Sequence, residues 1–212
     1  FEMATGDYIT VYDHDDTLEL DCFYEIVKAL QEYRYDVLYT DEDKFDDGTK
    51  MYNDPNLKPD FSEDLLRSHN YITHLFIVNK KLVDEVGYYN TEFDGSQDYD
   101  YIFRCVEKAN AVYHIPRILY HWRMHPESTA QNPKSKTYCY DAGKRAIEAH
   151  YKRVGVEATV EMMPEPMYGM YHTTYSTKDN PLVSILIPNY NHKPILKTCI
   201  DSLYNVNTYK NF

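Results

Sequence analysis

The chain has 212 residues, 43% of them hydrophobic and 15% aromatic, with 23 tyrosines and a formal net charge of −12. That is enough apolar material for a real core, and it excludes a disordered polar chain. The acidic balance excludes the basic face that nucleic-acid binding needs, but admits an anionic substrate bridged by a divalent cation. No run approaches the roughly 20 apolar residues of a membrane helix. Cys22, Cys105, Cys139 and Cys199 are scattered without a CxxC pair, which argues for reduced thiols and against a thiolate zinc site.

Tyr8–Tyr12 reads as a strand that ends in Asp13-His14-Asp15-Asp16, with Thr17 placed to cap the next helix. Asp21–Tyr33 has helical spacing, and Asp36–Thr40 reads as a second strand running into the acidic loop Asp41-Glu42-Asp43. Strand, helix, strand predicts a βαβ unit and a parallel sheet. Residues 44–62 read as loop because of Gly48, Pro55 and Pro59. A short helix is expected at Glu63–Arg67, a strand at His74–Val78 and a helix at Lys80–Val86. A further helix is expected at Gln97–Lys108, and two short strands, Tyr113–Ile115 and Leu119–His121, on either side of Pro116. Tyr138–Arg153 reads as a long helix closed by Val154-Gly155, and Val156–Met162 as a strand. Pro164–Asn180 reads as a linker. Leu182–Ile187 is the most apolar run and reads as a buried strand, with a helix at Ile195–Tyr204.

Asp13, Asp15 and Asp16 come after a strand end, where open α/β sheets bind ligands. Two carboxylates one residue apart can converge on Mg²⁺ or Mn²⁺ and through it on a diphosphate; a solvated turn with an N-cap aspartate is the plain alternative. Asp98 opens a helix, where the dipole favours a carboxylate, and in a cleft it could take a proton from a hydroxyl. Arg104 reads as an ion pair with Asp100. In Tyr120-His121-Trp122-Arg123-Met124-His125, an imidazole can complete a carboxylate metal site and Arg123 can clamp phosphate. His14, His69, His74 and His114 show no ligand spacing. The run Asp41–Asp47 fails calcium-loop spacing at Phe45 and reads as solvated.

Taken together, these stretches resemble family 2 glycosyltransferases of the GT-A fold. The resemblance rests on Met3–Asp16, Tyr39–Lys44, Lys58–Ser62, Arg67–Tyr71, Phe93–Asp100 and Tyr120–Pro126, and covers about residues 1–160. A second likeness begins at Ser184–Asn191, which looks like the first strand and nucleotide loop of another such domain. The implied fold is a mixed, mainly parallel GT-A-like sheet flanked by helices, with its N-terminal part missing. The implied organisation is a tandem enzyme: 1–160 from one domain, 161–180 a linker, 181–212 the opening of the next. Leu182–Pro188 is expected to stand beside Tyr8–Tyr12 as a substitute strand, within one chain or exchanged in a homodimer.

The resemblance implies metal-dependent, inverting transfer from a UDP- or dTDP-sugar to a glycan or lipid-linked acceptor in bacterial surface polysaccharide synthesis. Asp13 and Asp15 would bind Mn²⁺ or Mg²⁺ and the diphosphate, with His121, or else His125, as a further metal ligand. Asp98 would be the general base, Arg123 would contact the diphosphate, and Pro188 and Tyr190 would belong to the second domain's nucleoside pocket. A cytoplasmic, membrane-associated parent is the expected setting, with this piece itself inactive. Two other readings stand beside it. Asp13-x-Asp15-x-Thr17 also fits the opening motif of haloacid-dehalogenase-type phosphatases, with Asp13 as nucleophile. The chain could also be a binding or scaffold module.

Overall fold

Val37, Leu38 and Tyr39 sit in the middle of the main sheet and are fully buried. Val37 and Tyr39 enter one apolar layer and Leu38 the other, as the two-residue strand period requires. The computed structural model describes residues 1–124 and 137–212. It divides into two units, Phe1–Tyr175 and Ser176–Phe212.

The first unit holds six strands of one sheet: β1 (Tyr8–Thr10), β2 (Thr17–Leu18), β3 (Val37–Asp46), β4 (Met51–Asn56), β5 (Phe76–Asn79) and β6 (Val112–Met124). Their order is β1-β5-β3-β6-β2, with β4 paired to β3. β1 and β3 run the same way, as the βαβ reading requires, but they are not neighbours. β5 lies between them, antiparallel to both. The sheet is mixed, as expected, but β3–β6 is its one parallel pairing among the described residues, so "mainly parallel" is corrected.

Helix α1 (Cys22–Glu32) covers one face through Cys22, Ile26 and Ala29. The other face packs against α3 (Lys80–Val86), α4 (Gln97–Val106) and α5 (Tyr138–Val154). The small helix α2 (Glu63–Leu66) starts at Ser62, whose side chain caps the Leu65 N–H. Gly155, at φ 71°, closes α5 in the left-handed conformation that glycine takes without strain.

Four expectations are corrected here. Thr17 does not cap a helix but pairs with His121 in β2. Residues 41–46 and 51–56 are not loop but a hairpin turned by Asp46, whose carboxylate accepts from the Gly48 and Thr49 N–H groups. Pro55 is tolerated because β4 is an exposed strand paired on one side. Pro116 does not split β6, because the register to β3 skips from Ile115 to Ile118 and leaves the imino acid in a bulge. The segment read as a linker contains β8 (Tyr171–Tyr175), which pairs with β7 (Ala158–Met162). This hairpin packs on α5 through Val160 and Tyr171.

In the second unit, α6 (Lys193–Asn205) begins with Pro194 in its first turn. Leu182–Ile187 joins neither sheet, which corrects the expected strand. Its Val183 N–H bonds to the Asn211 carbonyl at 3.0 Å, and Tyr209 donates to the Pro181 carbonyl. Without a ladder partner among the described residues, the segment is not a strand. Among the described residues, no helix is long and apolar enough to cross a membrane.

Candidate active site

The turn after β1 is built around one buried carboxylate. Asp16 is 5% exposed, accepts from the Tyr120 hydroxyl, and takes the Arg123 backbone N–H at 2.8 Å. Burial raises its pKa, and those two hydrogen bonds oppose the rise. The Asp16 N–H returns to the Asp13 carbonyl at 3.2 Å, closing the turn. Asp13 and Asp15 are left partly exposed, with side chains 56% and 35% accessible. The Arg123 guanidinium, expected on a diphosphate, instead bonds the Asp15 carbonyl and the Asp47 carboxylate. Its place is to tie the acidic turn to the β3–β4 hairpin.

His74 has no role in the sequence reading, yet it stands at the centre. It precedes β5, stacks on Tyr120 with centroids 4.7 Å apart, and lies 5.6 Å from the Trp122 ring. Its Nδ1 is 3.3 Å from Glu42 Oε2 and its Nε2 is 3.7 Å from Asp13 Oδ2. Burial would lower its pKa, but Glu42, then Asp98 and Asp13, outweigh burial and raise it. Below it, the buried Lys58 Nζ donates to the Ile72 carbonyl at 2.8 Å and to the His74 carbonyl, and lies 3.5 Å from Glu42. The segment read as a solvated acidic loop is thus buried strand, with Asp41, Glu42 and Asp43 each under 10% exposed. No residue spacing announces this. The one available signal is a lone histidine opening a β-branched and aromatic run.

Asp98 is the second residue of α4, and Asn70 Nδ2 donates to its Oδ2 at 2.7 Å. Burial raises its pKa, against the pull of His74, backbone N–H groups and Asn70. A cavity of about 250 Å³ is lined by Asp13, His74, Asp98 and Trp122 together with apolar side chains including Phe76 and Tyr89. A second cavity, of about 330 Å³, meets it at Thr73 and Asp98. The structure therefore joins Asp13 to Asp98, 85 positions apart in the chain, through His74. A half-buried carboxylate whose pKa is raised, at a cavity edge, is suited to accept a proton.

The expected metal set does not fit. Both ring nitrogens of His121 are taken, Nδ1 by Asp43 Oδ1 at 2.6 Å and Nε2 by Glu19 Oε2 at 3.1 Å. Among the described residues, no group of three His, Cys, Asp or Glu side chains is arranged to hold a metal ion. His121 is a buried link between β6, β3 and the segment before α1. His125 lies outside the described residues. Pro188 and Tyr190 lie in the second unit. The phosphatase reading needs a lysine near Asp13, and among the described residues no lysine lines that cavity.

Residues 1–87 match a family model described as glycosyl transferase family 2. The whole chain is 38% identical over 216 residues to the uncharacterized protein y4gI of Sinorhizobium fredii (strain NBRC 101917 / NGR234), and spans 23% of it. It is 33% identical over 213 residues to the O-antigen biosynthesis protein RfbC of Myxococcus xanthus, and spans 16% of it. The chain thus spans less than a quarter of the curated relatives it matches. Among solved structures, S. aureus TarS 1–349 in complex with UDP-GlcNAc aligns with a TM-score of 0.51 at 15% identity, over 70% of this chain and 44% of that one. That likeness concerns the fold, a mixed GT-A-like sheet flanked by helices. The matched stretch carries the acidic turn and His74, and over those residues the chain is similar to glycosyl transferase family 2.

Proposed function

We propose that the first unit carries the reaction centre of a sugar-nucleotide-dependent, inverting glycosyltransferase that acts in bacterial polysaccharide synthesis. The observation that carries the reading is the single cavity bounded by Asp13, His74 and Asp98. Asp98 accepts the proton of the acceptor hydroxyl. That oxygen attacks the anomeric carbon, and the bond to the nucleoside diphosphate breaks. One displacement inverts the centre. Asn70 holds the Asp98 carboxylate in place, and the raised pKa makes it a stronger base than a solvated aspartate. His74, on the Asp13 side, lines the same cavity, and Glu42, Asp98 and Asp13 raise its pKa, which favours the cationic form facing the region where the diphosphate departs. No step is assigned to a metal ion, because the described residues do not complete a site for one.

The O-antigen name of one relative and the UDP-GlcNAc bound by TarS support a nucleotide-diphospho-sugar donor. The second unit is read as the opening of a second glycosyltransferase domain. The test is donor-dependent transfer by the whole protein, assayed over a panel of UDP- and dTDP-sugars with and without Asp98→Asn. The reading requires release of the nucleoside diphosphate to fall sharply in the variant while donor affinity is kept. Unchanged turnover would end it.

A further inference from the structure

His150 lines neither cavity, yet both members of the Asp98–Asn70 pair lead back to it. It lies on α5, fully buried, with its ring stacked on Phe103 of α4 at 4.4 Å. The Arg67 Nε–H donates to its Nε2 at 3.1 Å, and a guanidinium only donates. Nε2 is therefore the acceptor, so Nδ1 carries the ring proton and donates to Glu107 Oε1 at 2.7 Å. With its acceptor and its donor both engaged, the ring ties two separate stretches of chain together.

Those two stretches are the ones that meet again at Asp98. Glu107 caps the C-terminal end of α4, the helix whose first turn holds Asp98. Arg67 ends α2, three positions before Asn70. The contacts close a circuit: Asp98 along α4 to Glu107, across to His150, on to Arg67, and through residues 67–70 to Asn70, which returns to Asp98 at 2.7 Å. The carbonyls on either side of Arg67 are held as well. Leu66 accepts from the Tyr99 hydroxyl, and Ser68 takes the N–H of Tyr171, which with Tyr140 walls the second cavity. Arg67 is the side chain through which α5 reaches this segment, since its guanidinium also lies 5.4 Å from the Tyr151 ring. Asn70 needs that outside support. Its Nδ2 is engaged by Asp98, and its buried Oδ1 has no partner among the described residues. Its amide is therefore aimed by where the backbone of residues 67–70 is held.

We propose that His150 is a positioning residue: by holding Arg67 and Glu107 together it keeps the Asn70 amide on the Asp98 carboxylate. The proposal rests on the reading of Asp98 as the base and adds to it a residue that touches neither substrate nor cavity. A small displacement of a catalytic group by a change elsewhere can cost up to about 100-fold in rate, so the arrangement matters to turnover.

The experiment follows the Asn70 side-chain amide by NMR in the full chain, assigned by its absence in Asn70→Ala. Asp98→Ala gives the position of that resonance without its partner. His150→Phe keeps the stack on Phe103 and leaves Glu107 with Arg153, while removing both ring bonds. Arg67→Met keeps a stem against Tyr151 and removes the donor; it decides the matter alone if His150→Phe does not fold. In both variants the resonance should move to the position seen in Asp98→Ala. In the whole protein kcat should fall about 10–100-fold with donor KM unchanged. His150→Gln, whose amide can accept from Arg67 and donate to Glu107, should restore much of both. An Asn70 resonance that stays in place in the folded variants would overturn the proposal, whatever happens to turnover. So would a loss that His150→Gln does not relieve. Failure here is separable from failure of the functional reading, which is decided by Asp98→Asn turnover, because the Asn70 resonance reports position without any reaction.

Discussion

The Tyr120 hydroxyl donates to the carboxylate of Asp16, 104 residues earlier in the chain. Both residues are buried, at 0% and 5% exposure. The bond fixes the end of the acidic turn to β6 and thereby aims Asp13 at the cavity. Tyr120→Phe leaves a buried carboxylate with one partner fewer, and a lost hydrogen bond to a charged group costs about 1.5–3 kcal/mol. Urea unfolding should show a loss of that size. A stability equal to the parent would mean that water replaces the phenol.

Asp98→Asn should lower kcat of the whole protein by about 10²–10⁴-fold, the usual worth of a positioned general base. Donor KM should change little. Because burial raises the pKa of Asp98, the acid limb of the rate profile should lie above the ordinary aspartate range. A profile whose acid limb sits at a normal carboxylate value would remove Asp98 from the role.

Lys58 and Glu42 form a buried pair in which the lysine loses more than it gains. Burial lowers the Lys58 pKa despite Glu42 and Asp41. Removing one member of such a pair costs about 3–5 kcal/mol, whereas apolar replacement of both is often near neutral. Lys58→Met alone should therefore be severely destabilising, and Glu42→Gln with Lys58→Met should recover much of the loss. A double-mutant cycle with no coupling would contradict the pairing.

Among the carboxylates with a depressed pKa, Glu42 and Glu107 are the two that are buried, and acid stability rests chiefly on them. Burial alone would raise Glu42, but Lys58, His74 and Asn56 hold it below its usual value. Burial likewise opposes, and His150 and Arg153 outweigh, at Glu107. A depressed carboxyl stabilises above its unfolded pKa, near 4.5 for glutamate, and that stability is lost as pH falls through the lower folded value. The melting temperature should fall steeply below about pH 4.5. Glu107→Gln should flatten that fall, and an equally steep curve in the variant would rule the residue out.

Gly143 sits in the interior of α5 where a Cβ would come 2.1 Å from the Tyr171 hydroxyl. Gly143→Ala should therefore lose stability, by about 1–3 kcal/mol of overpacking, despite the better helix propensity of alanine. A more stable variant would mean that the hairpin strand yields freely, and that the Tyr140–Tyr171 wall is soft.

The helices were legible because their apolar spacing survives in the folded chain: Ile26 and Ala29 in α1, Ala146 and Ile147 in α5. The acidic turn and Asp98 were legible because both stand at element ends. What failed was polarity read as exposure. Asp41, Glu42 and Asp43 look like solvent-facing residues, yet each has a cationic or imidazole partner brought from elsewhere in the chain. His74 was missed for the same reason, since its partners Glu42, Asp13 and Tyr120 are distant in sequence. His121 was misassigned because a local motif cannot show that Asp43 and Glu19 already hold both nitrogens. Pro55 and Pro116 were read as breakers, and an exposed strand and a bulge absorb them.

The buried acids of β3 also decide how the sheet is threaded. Asp41 meets His114 at 2.8 Å, Glu42 meets Lys58 and His74, and Asp43 meets His121 at 2.6 Å. An apolar strand slipped by one residue exchanges one greasy contact for another. Here the same slip would turn Asp41 and Asp43 toward the face of Glu42, and strand three carboxylates without answering charge in a dry interior. The middle of the molecule is therefore keyed like a lock. Misthreaded sheets are rejected by electrostatics, and the one alignment that satisfies every acid is also the one that sets Asp13 across the cavity from Asp98.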